Sequence, residues 1–254
     1  MSHNLYSNAS CSCLLLKSTY FGRLEMGKLK KFFWQHAAWL LPILVVGVIA
    51  PFTPYLDRTI SAWFYNQNQP PSFHANWLTH LFYNYGEWPA FMVFFLAFCV
   101  VVGSYFSGKW KPWRAPALVL VLTLILGAGI LINGVLKEYW GRPRPKQTVE
   151  FAGQQTFRPF FSPNIGAQPE PSKSFPSGHA AMGFYFFSLA YIGYRQNNRA
   201  LLYGGITVAI VLGIGLSSTR IAQGGHWFSD TLFAALFMWL CTLFSAWLVY
   251  PRED

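Results

Sequence analysis

In 254 residues this chain is 53% hydrophobic and 11% charged, with a mean hydropathy of +0.29. Ordinary globular domains carry roughly 25% charged residues, so a water-soluble fold is excluded. A formal charge of +10 would suit a nucleic-acid binder, but the basic residues sit in short segments beside apolar runs. That distribution points to membrane lipids and phosphate as partners, and not to nucleic acid.

Residues 1–31 are mixed and polar and end in the basic run Lys28, Lys30 and Lys31, as expected of a cytoplasmic N-terminal tail. Cys11–Leu16 is too short for a signal-peptide core. Met26-Gly-Lys-Leu-Lys-Lys resembles the start of a bacterial membrane protein, so residues 1–25 are expected to be dispensable. The four cysteines do not form a disulfide framework: Cys99 and Cys241 lie in apolar runs, and Cys11 and Cys13 are too close together to bridge easily.

Six apolar stretches come next, at roughly 33–53, 88–106, 115–136, 179–194, 200–217 and 231–249, none with a Lys, Arg, Asp or Glu in its middle. About 20 apolar residues cross the hydrocarbon core as a helix, and no period-2 alternation suggests a barrel. The expected fold is therefore all-α: a six-span polytopic domain over residues 32–250, followed by a cytoplasmic tail at 251–254. Arg and Lys counts place the N-terminus, the 107–114 connection (Lys109, Lys111, Arg114) and the 195–199 connection (Arg195, Arg199) in the cytoplasm. Residues 54–87, 137–178 and 218–230 then face outward. In the first of these, Ile60, Trp63 and Phe64, then Trp77, Leu78, Leu81, Phe82 and Tyr85, recur at helical spacing. Two small interfacial helices joined by Asn68-Gln-Pro-Pro71 are expected there, against simple packing over the bundle. The second outward loop breaks the charge rule, carrying Lys137, Arg142, Arg144, Lys146, Arg158 and Lys173. An exported basic cluster of that size needs a task.

Three polar islands fall on this outward side. Lys137 and Gly141-Arg142-Pro143-Arg144-Pro145 form the first. Lone basic residues there would be interfacial anchors, but the prolines hold the chain extended and can bring Arg144 to where Lys137 points. Converging cations favour a polyanion between them. In the second, Ser177 can cap the helix that starts after Pro176, and Gly178 lets a ligand approach free N–H groups. A plain cap with His179 at the water interface suits the same residues equally. In the third, His226 and Asp230 stand at i and i+4 and share a helix face if the last span begins near Gly225. A carboxylate holding Nδ1–H would leave Nε2 free as a nucleophile. The pair also suits half of a metal site, although few further carboxylates lie nearby.

The islands together resemble the three signature motifs of the type 2 phosphatidic acid phosphatase (PAP2) superfamily: Lys-x6-Arg-Pro, Pro-Ser-Gly-His and Ser-Arg-x5-His-x3-Asp. Lys137, Arg144 and Pro145 match the first, Pro176 to His179 the second, and Arg220, His226 and Asp230 the third, with Thr219 where Ser is usual. The resemblance implies a PAP2-type bundle in which His226 attacks phosphorus, Asp230 orients it, and His179 protonates the leaving oxygen and then activates water. It implies that Lys137, Arg144, Ser177, Gly178 and Arg220 hold the phosphate oxygens, leaves Arg142 without a role, and implies no metal, other cofactor or obligate protein partner. The expected activity is phosphatase action on a phosphorylated lipid at the periplasmic face of a bacterial inner membrane. Asn133-Gly134, Phe151-Ala152-Gly153 and Ser174-Phe175 resemble the subgroup of lipid A 1-phosphatases, with undecaprenyl pyrophosphate and phosphatidylglycerophosphate as alternative substrates. A transporter or a silent lipid-binding protein is a more distant alternative, disfavoured because transporters place their polar features near mid-membrane.

Overall fold

The structure is a computed structural model that describes residues 36–68, 72–73, 76–166 and 172–250. The tails expected at 1–31 and 251–254, with Cys11, Cys13 and the dispensable 1–25, lie outside the described residues. The chain divides into two units after Val45. Of the first, residues 36–45 are helical. The second holds all three islands.

Among the described residues, five helical stretches are long and apolar enough to cross a membrane: α1 (His36–Trp63), the joined α2 (Trp77–Tyr85) and α3 (Trp88–Phe106), α4 (Gly108–Tyr139), α7 (Arg199–Ala222) and α8 (Phe228–Val249). The expected fourth span is two short helices, α5 (Gly178–Phe184) and α6 (Phe187–Arg195). At the break, the Ser188 N–H and hydroxyl both donate to the Tyr185 carbonyl, at 3.0 and 2.6 Å. A tightened turn and a side-chain donor thus satisfy a backbone acceptor that a continuous helix would have paired. The expected six crossings are met only if α5 and α6 count as one interrupted span.

Inside the bundle, Ala90, Ala128, Ala180, Ala181, Ala209 and Ala234 are buried together with Ile132, Tyr185 and Met238. Small residues let helices approach closely, which is how helices associate where lipid tails offer no hydrophobic contrast. Large apolar side chains instead point outward, among them Phe91, Phe95 and Leu96 of α3, Val211 and Ile214 of α7, and Trp247 of α8. Water would not tolerate such a surface; lipid does.

The segment 54–87, expected to face outward, differs from expectation at its start. Ile60 and Trp63 belong to the end of α1, not to a separate helix. A short hairpin comes next, pairing Tyr65 with Phe73 and Asn66 with Ser72. Helix α2 then lies where expected, opened by a capping box in which the Asn76 Oδ1 and Thr79 Oγ1 each accept the other residue's backbone N–H at 2.9 Å. Tyr65 and Phe73 pack on Phe151, and Phe151 and Phe157 pack on Trp227. These aromatics tie Phe151 and Phe157, in the loop after α4, to Trp227 in the turn between α7 and α8.

Candidate active site

Helix α4 under-winds to π geometry from Leu124 to Leu136. The Asn133 amide donates to the Ala128 carbonyl at 2.7 Å, and its Oδ1 accepts from Lys137 Nζ at 3.3 Å. An added Cβ at Gly178 would lie 2.7 Å from that same Oδ1. A side chain there would crowd the amide that braces Lys137.

Backbone bonds tie the three islands together. Lys146 N–H donates to the Gly224 carbonyl at 3.2 Å, Ser177 N–H to the Asp230 carbonyl at 3.1 Å, and the Trp227 indole to the Pro143 carbonyl at 2.8 Å. Ser177 caps α5 as its position predicts, its hydroxyl accepting from Ala180 N–H at 3.3 Å. Arg220 folds against Gly225, where an added Cβ would lie 2.3 Å from Nη2, and it donates to Gln223 Oε1 at 2.6 Å. Lys137, Arg144, Arg220 and His226 all come close enough to His179 for their charges to act on it. The buried Nε atoms of Arg144 and Arg220 have no hydrogen-bond partner. Buried donors without acceptors are costly, and three cations repel one another. An anion at this point removes both penalties.

Two expectations about the third island are corrected. Helix α8 starts at Phe228, not near Gly225, so His226 precedes it and shares no helix face with Asp230. The cause is the cap: Trp227 is extended, and its N–H donates to Asp230 Oδ2 at 2.8 Å. Nor does Asp230 hold the imidazole directly. His226 Nδ1 lies 2.6 Å from the Ser174 carbonyl oxygen and 3.5 Å from Asp230 Oδ2. A carbonyl only accepts, so Nδ1 carries the proton and Nε2 keeps its lone pair.

Asp230 acts one step back. Its Oδ2 also accepts from the Ser174 hydroxyl at 2.5 Å, and its Oδ1 accepts from Arg142 at 2.5 Å. Arg142, which the sequence left without a role, is fully enclosed. It also donates to Asp57 Oδ2 at 2.7 Å, to the Ser229 hydroxyl at 2.8 Å and, through Nε, to the Arg158 carbonyl at 2.8 Å. Asp57 accepts in turn from the Ser229 N–H and hydroxyl. Not every cation of the basic loop faces a ligand, then. Arg142 is internal structure, and Lys173 pairs at the surface with Glu138.

Tyr83 and Glu87 join the site without any mark in the sequence motifs. The Tyr83 ring stacks on the His179 imidazole (centroids 4.9 Å, 8° between planes) and carries the Arg220 guanidinium at 4.9 Å. Glu87 Oε1 lies 3.4 Å from His179 Nδ1. The i, i+4 spacing of Tyr83 and Glu87 is a usable signal, but only once one knows that α2 runs beside the islands. Among the described residues, no three His, Cys, Asp or Glu side chains gather as metal ligands would.

Burial above all, then the Arg220 and Lys137 charges, push His226 down to about 4 against a partial offset from Asp230. The imidazole is thus neutral at pH 7. Because the folded value lies below the ordinary 6.5, its contribution to stability is present above about pH 6.5 and fades as pH falls towards 4. In ¹⁵N-histidine-labelled protein without phosphate, the His226 ring signals should stay at their neutral positions from pH 7.5 to about 5. Titration with a midpoint near 6.5 would contradict this environment.

Residues 116–254 match the PAP2 superfamily. The lipid A 4'-phosphatase of Francisella tularensis subsp. novicida (strain U112) is 34% identical over 163 residues, 63% of this chain and 69% of that protein. A lipid A 4'-phosphatase of Rhizobium leguminosarum is 34% identical over 132 residues, 51% of this chain and 52% of that protein. One from Rhizobium etli is 31% identical over 121 residues, 47% and 43% of the two chains. This chain thus spans about half the length of the two Rhizobium proteins. No solved structure matches it. The match takes in α5 to α8 and most of α4, which carry all three islands, and on that footing the chain belongs to the PAP2 superfamily and is a polytopic membrane phosphatase.

Proposed function

We propose that His226 Nε2 attacks phosphorus in line with the leaving oxygen, forming a phospho-histidine, and that water then releases phosphate. His179 gives its proton to the leaving oxygen in the first step and takes one from water in the second. Asp230 orients His226 through Ser174. Lys137, Arg144 and Arg220, with the Ser177 hydroxyl and the Gly178 N–H, hold the non-bridging oxygens as charge moves onto them. The observation that carries this reading is the pair of partnerless buried Nε atoms on Arg144 and Arg220, beside a neutral His226 whose Nε2 is unprotonated.

The substrate we propose is lipid A, at the periplasmic face of a bacterial inner membrane, and the phosphate removed is the 4'. The three relatives named lipid A 4'-phosphatase support this. The residues that suggested the 1-position serve the shared frame instead. Asn133 braces Lys137, Ser174 braces Asp230 and His226, and Phe151 is buried among aromatics.

Expression in a Gram-negative host making bis-phosphorylated lipid A tests the reading. Mass spectrometry with fragmentation should show loss of one phosphate from the 4' end and retention at the 1 end. Loss at the 1 end would reverse the positional assignment. Unchanged lipid A, with rapid cleavage of undecaprenyl pyrophosphate by purified enzyme, would reject lipid A and leave the chemistry standing.

A further inference from the structure

We propose that Glu87 is a positioning residue for the general acid, holding His179 Nδ1–H so that Nε2 carries the transferable proton. This rests on the proposed acid role of His179 and deepens it. Glu87 lies outside the three motifs, at the junction of α2 and α3.

Glu87 Oε1 lies 3.4 Å from His179 Nδ1, and Tyr83, one turn earlier in the chain, stacks almost parallel on the same ring. The carboxylate fixes which nitrogen faces away from it, and the stacked phenol fixes the plane in which it does so.

The groups that face His179 are Lys137 from α4, Arg144 from the loop after it, Arg220 from α7, His226 from the turn before α8, and Tyr83 and Glu87 from the α2–α3 region. Three of these are permanent cations, and each disfavours an imidazolium. A general acid must be protonated when the substrate arrives. Glu87 is in ion-pair reach of His179, and its charge also acts on Lys137 and Arg220. Its carboxylate is the anion within reach of that ring, opposing the three cations there. The neighbouring nucleophile needs the opposite state, and it is held by a neutral carbonyl instead. The Glu87 carboxylate faces His179 Nδ1, whereas His226 Nδ1 has a carbonyl at 2.6 Å with the Asp230 carboxylate farther off at 3.5 Å. The nearer acceptor thus differs between the residue assigned as acid and the one assigned as nucleophile.

The step balances. As the His226 Nε2–P bond forms, the P–O bond breaks, its electron pair stays on the leaving oxygen, and the His179 Nε2 proton joins that oxygen. Proton donation matters most for a poor leaving group, which gives a readout that a purely structural role would not move.

First-turnover release of the leaving group should be measured for an alkyl phosphate monoester and for p-nitrophenyl phosphate, using wild type, Glu87→Gln, Glu87→Asp and His179→Ala. Glu87→Gln should lose about 10²-fold on the alkyl ester, with a loss at least ~10-fold smaller on the aryl ester. The basic limb of its rate profile should move to lower pH, because removing the anion makes the imidazolium easier to deprotonate. Glu87→Asp should recover part of both effects. Equal loss on the two esters with an unmoved limb overturns the proposal while His179→Ala still discriminates between them. If His179→Ala fails to discriminate, it is the acid role of His179 that falls.

Discussion

Arg142→Gln is expected to destabilise the protein by about 3–5 kcal/mol and to lower phosphate release by about 10²-fold. Arg142 is buried, and its guanidinium sits between two fully buried carboxylates, Asp57 and Asp230. Removing the cation leaves both anions without it in a place where water cannot reach them. Taking one partner from such a pair costs far more than the pair contributes when intact. The same substitution loosens Asp230, which holds the Ser174 hydroxyl, and Ser174 supplies the carbonyl that fixes the His226 tautomer. A nucleophile displaced by about 1 Å accounts for a rate loss of that order. Denaturant titration in detergent reads the first effect and phosphate release the second. Adding Asp57→Asn to Arg142→Gln should recover part of the stability, because one of the two unpaired charges is gone, but little of the activity. A single mutant as stable and active as wild type would mean that the buried network neither supports the fold nor orients the site.

The helical membrane fold and the convergence of the islands were legible in the sequence because each leaves a local trace. Apolar runs of about 20 residues rarely serve any purpose but crossing a membrane. Lys137, Arg144, His179, Arg220, His226 and Asp230 stand at spacings that define their motifs, and the fold brings them to one end of the bundle. The parts that stayed hidden depend on partners far away in the chain or on atoms that no residue type encodes. Asp57 reads as an isolated polar residue near the end of an apolar run; only the fold sets it against Arg142. Arg142 reads as one more basic residue of an exported loop until its burial is seen. The acceptor for His226 Nδ1 is a backbone carbonyl, present at every position and so invisible in composition, and His/Asp spacing pointed to the carboxylate instead. Phe184 to Phe187 read as continuous helix because nothing in their hydropathy marks the Ser188 bond that interrupts it. Glu87 and Tyr83 were hidden by distance, since α2 reaches the islands only in three dimensions.

His226→Ala is expected to reduce phosphate release by on the order of 10⁴-fold or more while the protein stays inserted and folded. The imidazole is buried and makes one side-chain hydrogen bond, so its loss opens a small polar space without stranding a charge. No neighbour replaces it as nucleophile: Lys137 and the arginines are cationic, and His179 sits on Glu87. The most direct test of the central claim is to quench wild-type enzyme in base during turnover of a ³²P-labelled monoester and map the label. A phospho-histidine mechanism predicts an alkali-stable, acid-labile phosphoryl group on the peptide carrying His226, absent from His226→Ala and enriched when the second step is slowed. Rapid turnover with no protein-bound label at any quench time, or label on another residue, would contradict it.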